Sequence, residues 1–245
     1  MATQSRPLDK MQSAIQLAAF HYIACLKAMP SNADHKLTIG KAEFHFENIR
    51  TADSRLLHGE FQRWAASAVL RDLVEHFSIF LMEVYRDAVM KAPGRTFAVT
   101  PSRFERRGIE DQLTILAAEF SVAPEWIILL TGYNRARNCL AHRAGIVDLP
   151  DATDGSELVV RWLVAKTALA EGPPSRLVDI QGPMGALVRG HHIHGVSAAI
   201  FELQDRENRV AVGSTLHFLP DEVLEICQTF QLVAAAFSEI GAGRV

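Results

Sequence analysis

The chain has 245 residues, 49% of them hydrophobic and 22% charged, with a formal net charge of −3. That length holds one large domain or two small ones with a sizeable core, and the slight acidity excludes a broad nucleic-acid-coating surface while leaving room for a local basic site. Three widely spaced cysteines (Cys25, Cys139, Cys227) exclude a disulfide framework and read as reduced thiols of a soluble cytoplasmic protein; no apolar run approaches the ~18 residues of a membrane span, and the opening MATQSRPLDKMQS lacks the apolar core of a secretory signal.

In residues 11–29, Met11, Ile15, Ala18, Ala19, Tyr22, Ile23 and Leu26 have helical spacing, and Pro30-Ser31-Asn32 ends the helix. Residues 37–46 alternate briefly, as a short strand or an extended arm does. Residues 53–92 form the longest periodic segment: Leu57, Phe61, Trp64, Ala68, Leu73, Phe77, Phe80, Val84 and Ala88 fall mostly three or four apart. One long helix, or two broken near Gly59, fits this stripe, with Asp53 as N-cap and Pro93-Gly94 as the stop. Its apolar residues are core, so Trp64 and Phe77 carry no function. Ser102 is placed to cap a helix reaching about Phe120, weakened at Gly108. Arg103, Arg106 and Arg107 in its first turns are either a solvated face, with Glu105 and Glu110 interspersed, or part of a polyanion path.

After the short connection 121–123, Pro124 opens a helix running to Arg143, which Gly145 caps. So short a turn predicts antiparallel packing of the two helices. Beyond Gly145 the character changes. Residues 148–156 are turn-like and 158–164 (LVVRWLV) read as a strand; Gly172-Pro173-Pro174 is a break; 187–194, 196–204 and 209–213 are β-prone, with a hairpin turn at 205–208. Residues 220–240 form an amphipathic helix whose apolar face is Leu219, Val223, Ile226, Phe230, Val233 and Phe237. The expected architecture is mainly α: one helical bundle over residues 1–245, with 151–214 as a small β-rich insertion before the C-terminal helix.

The helix 124–143 carries the densest chemistry. From Trp126 to Val147 there are three arginines and no acid. With Asn134 at zero on a helical wheel, Asn138 lies at about +40°, His142 at about +80°, Arg135 at about +100° and Arg137 at about −60°. Leu129, Gly132, Ala136, Cys139 and Leu140 fall on the opposite, packing side. His142 has the titration range to take a proton from a ribose 2′-hydroxyl. Arg137 offers a cationic fork to phosphate oxygens. Asn138 can orient the histidine or donate to the phosphate. Such a set supports metal-independent RNA cleavage. Arg137 and His142 are about 140° apart on the wheel, so a single helix only brackets a cleft, and a two-fold partner across this helix would complete it. The same residues also suit a structural role, since cations in a last turn favour the helix dipole and Asn or His near a glycine cap satisfy carbonyls.

At Arg137, Asn138 and His142 the chain resembles the HEPN superfamily, all-helical domains with an Arg-x(4–6)-His signature. RNCLAHRAGIVD is similar to an Arg-Asn-x-x-x-His-x-x-Gly-x-Val ending of bacterial members, with Gly145 and Val147 in place. The resemblance covers about twelve residues strongly and is compatible with 101–147 plus 216–240. It implies a HEPN-like antiparallel bundle, a homodimer through the 124–143 helix, and a metal-independent endoribonuclease of toxin–antitoxin or antiphage defence contexts. In it Arg137 and His142 are catalytic and Asn138 is supporting. Asn134, Arg135, Arg143, Arg103, Arg106 and Arg107 are candidate RNA contacts, RNA and an antitoxin protein are the implied partners, and no cofactor or metal is required. Other members are silent modules that bind a nucleotide, RNA or protein. Arg143 departs from the asparagine that often follows the family's histidine.

Three other features were candidates. His191, His192 and His194 form either a polar β-edge or part of a metal pair that lacks a nearby third ligand. Cys139, beside the motif, is either a nucleophile or a small packing residue, and its place on the apolar face favours packing. Glu75 and Glu83 on the long helix either orient His142 or face solvent.

Overall fold

A computed structural model of the chain describes residues 6–28, 36–39, 42–45, 51–169 and 199–241. Among them are six α-helices and two antiparallel two-stranded sheets, so the fold is mainly helical. Helix α1 spans Pro7–Ala28 and is followed by the hairpin β1 (Lys36–Ile39) and β2 (Ala42–His45). Helix α2 runs unbroken over Thr51–Lys91. It therefore begins before Asp53, which lies inside the first turn instead of capping it, and it passes Gly59 without interruption.

The stripe on α2 is real but shifted at its N-terminal half. Trp64 is 59% exposed, while Ala65, Ala66, Val69 and Leu70 are buried. Small residues let neighbouring helices come close there, so the large indole is displaced outward. Further along, Phe77 meets Phe230 and Phe237 edge-on at 5.5 and 5.7 Å. Such aromatic pairs add to the free energy of burial itself. Met11, Ile15, Ala18 and Tyr22 of α1 complete this side of one continuous buried cluster.

The expected helix from Ser102 to Phe120 is two helices, α3 (Pro101–Phe104) and α4 (Ile109–Phe120). Pro101 sets the start of α3 with Thr100 in the cap position, so Ser102 caps nothing. Gly108 takes an extended conformation as the N-cap of α4. Ser121 adopts a left-handed conformation and ends it. Helix α5 spans Pro124–His142, with Arg143 as its C-cap. Glu110 at the start of α4 reaches Asn134 and Arg135 in the second half of α5, so the two run antiparallel. Gly145, at φ +83°, donates its N–H to the carbonyl of Cys139 and closes the helix end.

A 3-10 turn at Leu149–Asp151 leads into β3 (Glu157–Leu169), which pairs with β4 (Ala199–Ala211) from Glu157↔Ala211 to Leu169↔Ala199. The expected hairpin turn at 205–208 is overturned: these residues sit inside β4 opposite Val160–Leu163. Four consecutive polar residues imitate a turn, but here they line an exposed stretch of strand. Arg206 reaches Glu225 at 3.2 Å, and Arg209 reaches Asp154 and Glu157 at 3.1 Å each. The β-prone 187–194, the break at 172–174 and the histidines His191, His192 and His194 lie outside the described residues.

Strand β3 is clamped on the core. Leu158, Val160, Trp162 and Leu163 are buried, Trp162 donates to Glu225 at 2.7 Å, and the Leu163 N–H donates to Thr229 Oγ1 at 2.9 Å. Both acceptors lie on the last helix, α6 (Pro220–Gly241). Its buried face is Val223, Ile226, Phe230, Val233 and Phe237 as expected, whereas Leu219 is 56% exposed. Contrary to the sequence reading, one helix among the described residues is long and apolar enough to cross a membrane, Pro220–Ile240. It is a core helix, with Val223, Ile226, Cys227, Phe230, Val233, Ala234, Phe237 and Ile240 buried inside the fold.

Candidate functional site around Arg137

Helix α5 packs against α2, α4 and β3, and two close contacts mark its buried side. Gly132 faces β3 so closely that a Cβ there would lie 2.9 Å from the carbonyl oxygen of Val159. On the α6 side, Tyr133 stacks on Phe230 at 4.9 Å. With that side fixed, Arg137 and Asn138 fall on the wall of a cleft of about 670 Å³. Its other walls are Val74, Glu75, Ser78 and Ile79 of α2, the turn into α4 from Gly108 to Asp111, and Asn134 of α5.

Arg137 Nη1 donates to Asn138 Oδ1 at 2.8 Å, and its Nε is buried without a partner. Arg137 makes no ion pair among the described residues. Its neighbours differ. Arg135 pairs with Glu110 at 3.6 Å and donates to the Ala152 carbonyl. Arg143 holds the buried Asp151 carboxylate with two donors, Nε at 2.7 Å and Nη2. That bond pushes the Arg143 pKa upward. Asn134, expected on the polar face, is 9% exposed and donates to Glu110 Oε1 at 2.8 Å. Of the basic and amide groups proposed as RNA contacts on this helix, Asn134, Arg135 and Arg143 are thus engaged within the fold. A wheel places side chains by angle only, and carboxylates supplied from residues 110 and 151 decide where they turn.

His142 ends α5 exposed to solvent, with no hydrogen bond among the described residues, and it is not part of the cleft wall. The structure therefore brings Arg137 and Asn138 together and leaves His142 one turn beyond them. Arg103, Arg106 and Arg107 are exposed on α3 and the turn that leads into the Gly108 wall. Arg107 lies 3.7 Å from Asp111, and the other two have no partner among the described residues.

Compared with protein-family models, curated proteins and solved structures, the chain gives no match.

Of the two long-helix carboxylates, Glu83 pairs with Lys10 of α1 at 2.6 Å and so does not serve His142. Glu75 is exposed in the cleft with no partner among the described residues. Cys139 is fully buried, and burial with the nearby Asp151 carboxylate raises its thiol to about 11, which removes it as a nucleophile near neutrality. Sequence reasoning missed Ser78, Ile79 and the Gly108–Asp111 wall. One signal was available: Ile79 is an apolar residue off the α2 stripe, and it is 51% exposed.

Proposed function

We propose that the chain is a metal-independent endoribonuclease of the HEPN type that acts as a homodimer across α5. The observation that carries the reading is the state of Arg137. It stands in an open cleft, tied to Asn138 and with no ion pair among the described residues, while the arginines two positions before and six after it are neutralised within the fold. An unspent guanidinium on a cleft wall is what stabilisation of a phosphorane requires.

In the proposed reaction His142 removes the proton of a ribose 2′-hydroxyl, and the 2′-oxygen attacks the adjacent phosphorus. The bond from phosphorus to the 5′-oxygen breaks, and that oxygen leaves with a proton drawn from water, while the protonated His142 returns its proton to solvent. The products are a 2′,3′-cyclic phosphate and a 5′-hydroxyl end. The ~140° between Arg137 and His142 on one helix suits a cleft completed by a second copy, each chain supplying one side. A defence or toxin–antitoxin setting, with a protein antitoxin, follows from the HEPN resemblance and belongs to the same proposal.

The test is cleavage of end-labelled RNA in EDTA by wild type, Arg137→Ala and His142→Ala, with the new ends analysed. Each variant is expected to lose at least about a hundredfold in rate, the upper part of the range for a positioned acid or base. Equal residual cleavage by all three proteins would sink the assignment. A second reading, a silent helical module that binds a nucleotide, RNA or protein, is favoured by the acidic residues Glu75, Glu110 and Asp111 around the same cleft. No cleavage by wild type, together with retained ligand binding, selects it.

A further inference from the structure

We propose that the cleft beside Arg137 seats a guanine base, read by Glu75 and Asn138. The inference rests on the reading above for its strand context, and the cleft itself carries the rest. Its volume of about 670 Å³ lies within the span of ordinary small-ligand sites. Its polar groups can be sorted into those already spent and those still open.

Glu110 is spent on Asn134 and Arg135. The Ser78 hydroxyl donates to Gln112 Oε1 at 2.9 Å. Asp111 faces Arg107. Arginine only donates, so Asn138 must turn its oxygen to Arg137, and its Nδ2 amide remains an open pair of donors. Glu75 remains an open pair of acceptors. Ile79 supplies exposed apolar surface in the same cleft, with the buried Val74 and Ile109 behind it.

An open carboxylate repels a phosphate, so the scissile phosphate belongs to the Arg137 side of the cleft and a bare anion is the wrong occupant for the Glu75 wall. It calls for two adjacent N–H donors on a flat, partly apolar ligand. Among the four RNA bases only guanine presents two such donors side by side, N1–H and the N2 amine, and its O6 and N7 accept from an amide. Single-stranded RNA is commonly recognised through splayed bases read on these edges. The same chemistry has two sources, a guanine within an RNA strand or a free guanine nucleotide.

Calorimetric titration with GMP, IMP, AMP, CMP and UMP, and with the pentamers UUGUU and UUAUU, separates the outcomes. Wild type, Glu75→Gln and His142→Ala are compared. GMP is expected to bind about tenfold or more tightly than AMP, as one bidentate pair allows, with IMP weaker for want of the N2 amine. Glu75→Gln should erase that preference with thermal unfolding unchanged, since Glu75 is exposed. A guanine preference larger in the pentamer than in the mononucleotide assigns the site to RNA, and one seen only with GMP assigns it to a free nucleotide. No guanine preference in either format, or an unchanged preference in Glu75→Gln, overturns the pocket. His142→Ala should keep the preference and lose cleavage. Guanine preference without cleavage in wild type refutes the ribonuclease alone, and cleavage without guanine preference refutes the pocket alone.

Discussion

Arg143 and Asp151 should behave as an unequal pair. The Asp151 side chain is 1% exposed and the Arg143 side chain 30%. Asp151 accepts two bonds from Arg143 and a third from the Asp148 N–H at 3.0 Å. Arg143→Ala strands a carboxylate that has almost no access to water. Removing one partner of such a pair typically costs about 3–5 kcal/mol, and the upper half of that range is expected here. Asp151→Ala leaves a guanidinium that can still reach solvent, so the loss is smaller, about 2–3 kcal/mol after discounting for that exposure. The double variant should lose less than the two single losses added together. Urea unfolding followed by tryptophan fluorescence measures all three, with the slope against urea serving as the check for two-state behaviour. For a chain of this size a loss of 4 kcal/mol should lower Tm by roughly 8–16 °C. The reasoning fails if Arg143→Ala lies within ~0.5 kcal/mol of wild type, or if the order of the single variants reverses. The experiment also decides a functional point. An arginine committed to a buried carboxylate should contribute little to RNA affinity in protein that remains folded.

Gly132→Ala should destabilise the fold by about 1–3 kcal/mol, because its Cβ would press on the Val159 backbone and not on a side chain that can rotate away; a melting curve unchanged from wild type would contradict that contact. Stability should fall on the alkaline side. Burial raises Cys139 to about 11, and Cys227 and Tyr22 to about 12. An unfolded thiol ionises near ~8.5 and a tyrosine near ~10, so the unfolded chain sheds these protons first. The stabilising contribution is whole below pH ~8.5 and is lost as pH climbs through the folded values. Urea midpoints at pH 8 and pH 10.5 test this, and Cys139→Ala combined with Cys227→Ala should flatten the difference; a midpoint that rises with pH would refute it.

The helices were largely legible because their signals are local. Met11, Ile15, Ala18 and Tyr22 declare α1, Pro124 and Gly145 bracket α5, and the face of α6 follows from spacing alone. What escaped depends on residues far apart in the chain. Asn134 looks free on a wheel until Glu110, twenty-four positions earlier, meets it. Trp64 fits the stripe, but the small Ala65 and Ala66 take the packed side. Residues 205–208 read as a turn because charge on an exposed strand looks the same as charge in a loop. The cleft has little linear signature beyond the off-stripe Ile79, since α2, α4 and α5 each supply only part of it. Arg137, Asn138 and His142 were visible as a cluster; that Arg137, unlike Arg135 and Arg143, has no ion pair among the described residues was not.

The contact at Gly132 has a further meaning. A helix packed through side chains can turn by some degrees as those side chains change rotamer. A helix whose backbone rests on a strand's backbone has far less freedom about its axis. Arg137 follows Gly132 by five residues, so its azimuth is set about 140° from that point of rest. Among the described residues, the β3–β4 ribbon supplies none to the cleft wall. Even so, β3 is the bearing surface against which α5 is indexed. Changes far out on the ribbon should be tolerated, whereas a one-residue shift of β3 beneath Gly132 would re-aim Arg137 and Asn138 without altering either of them.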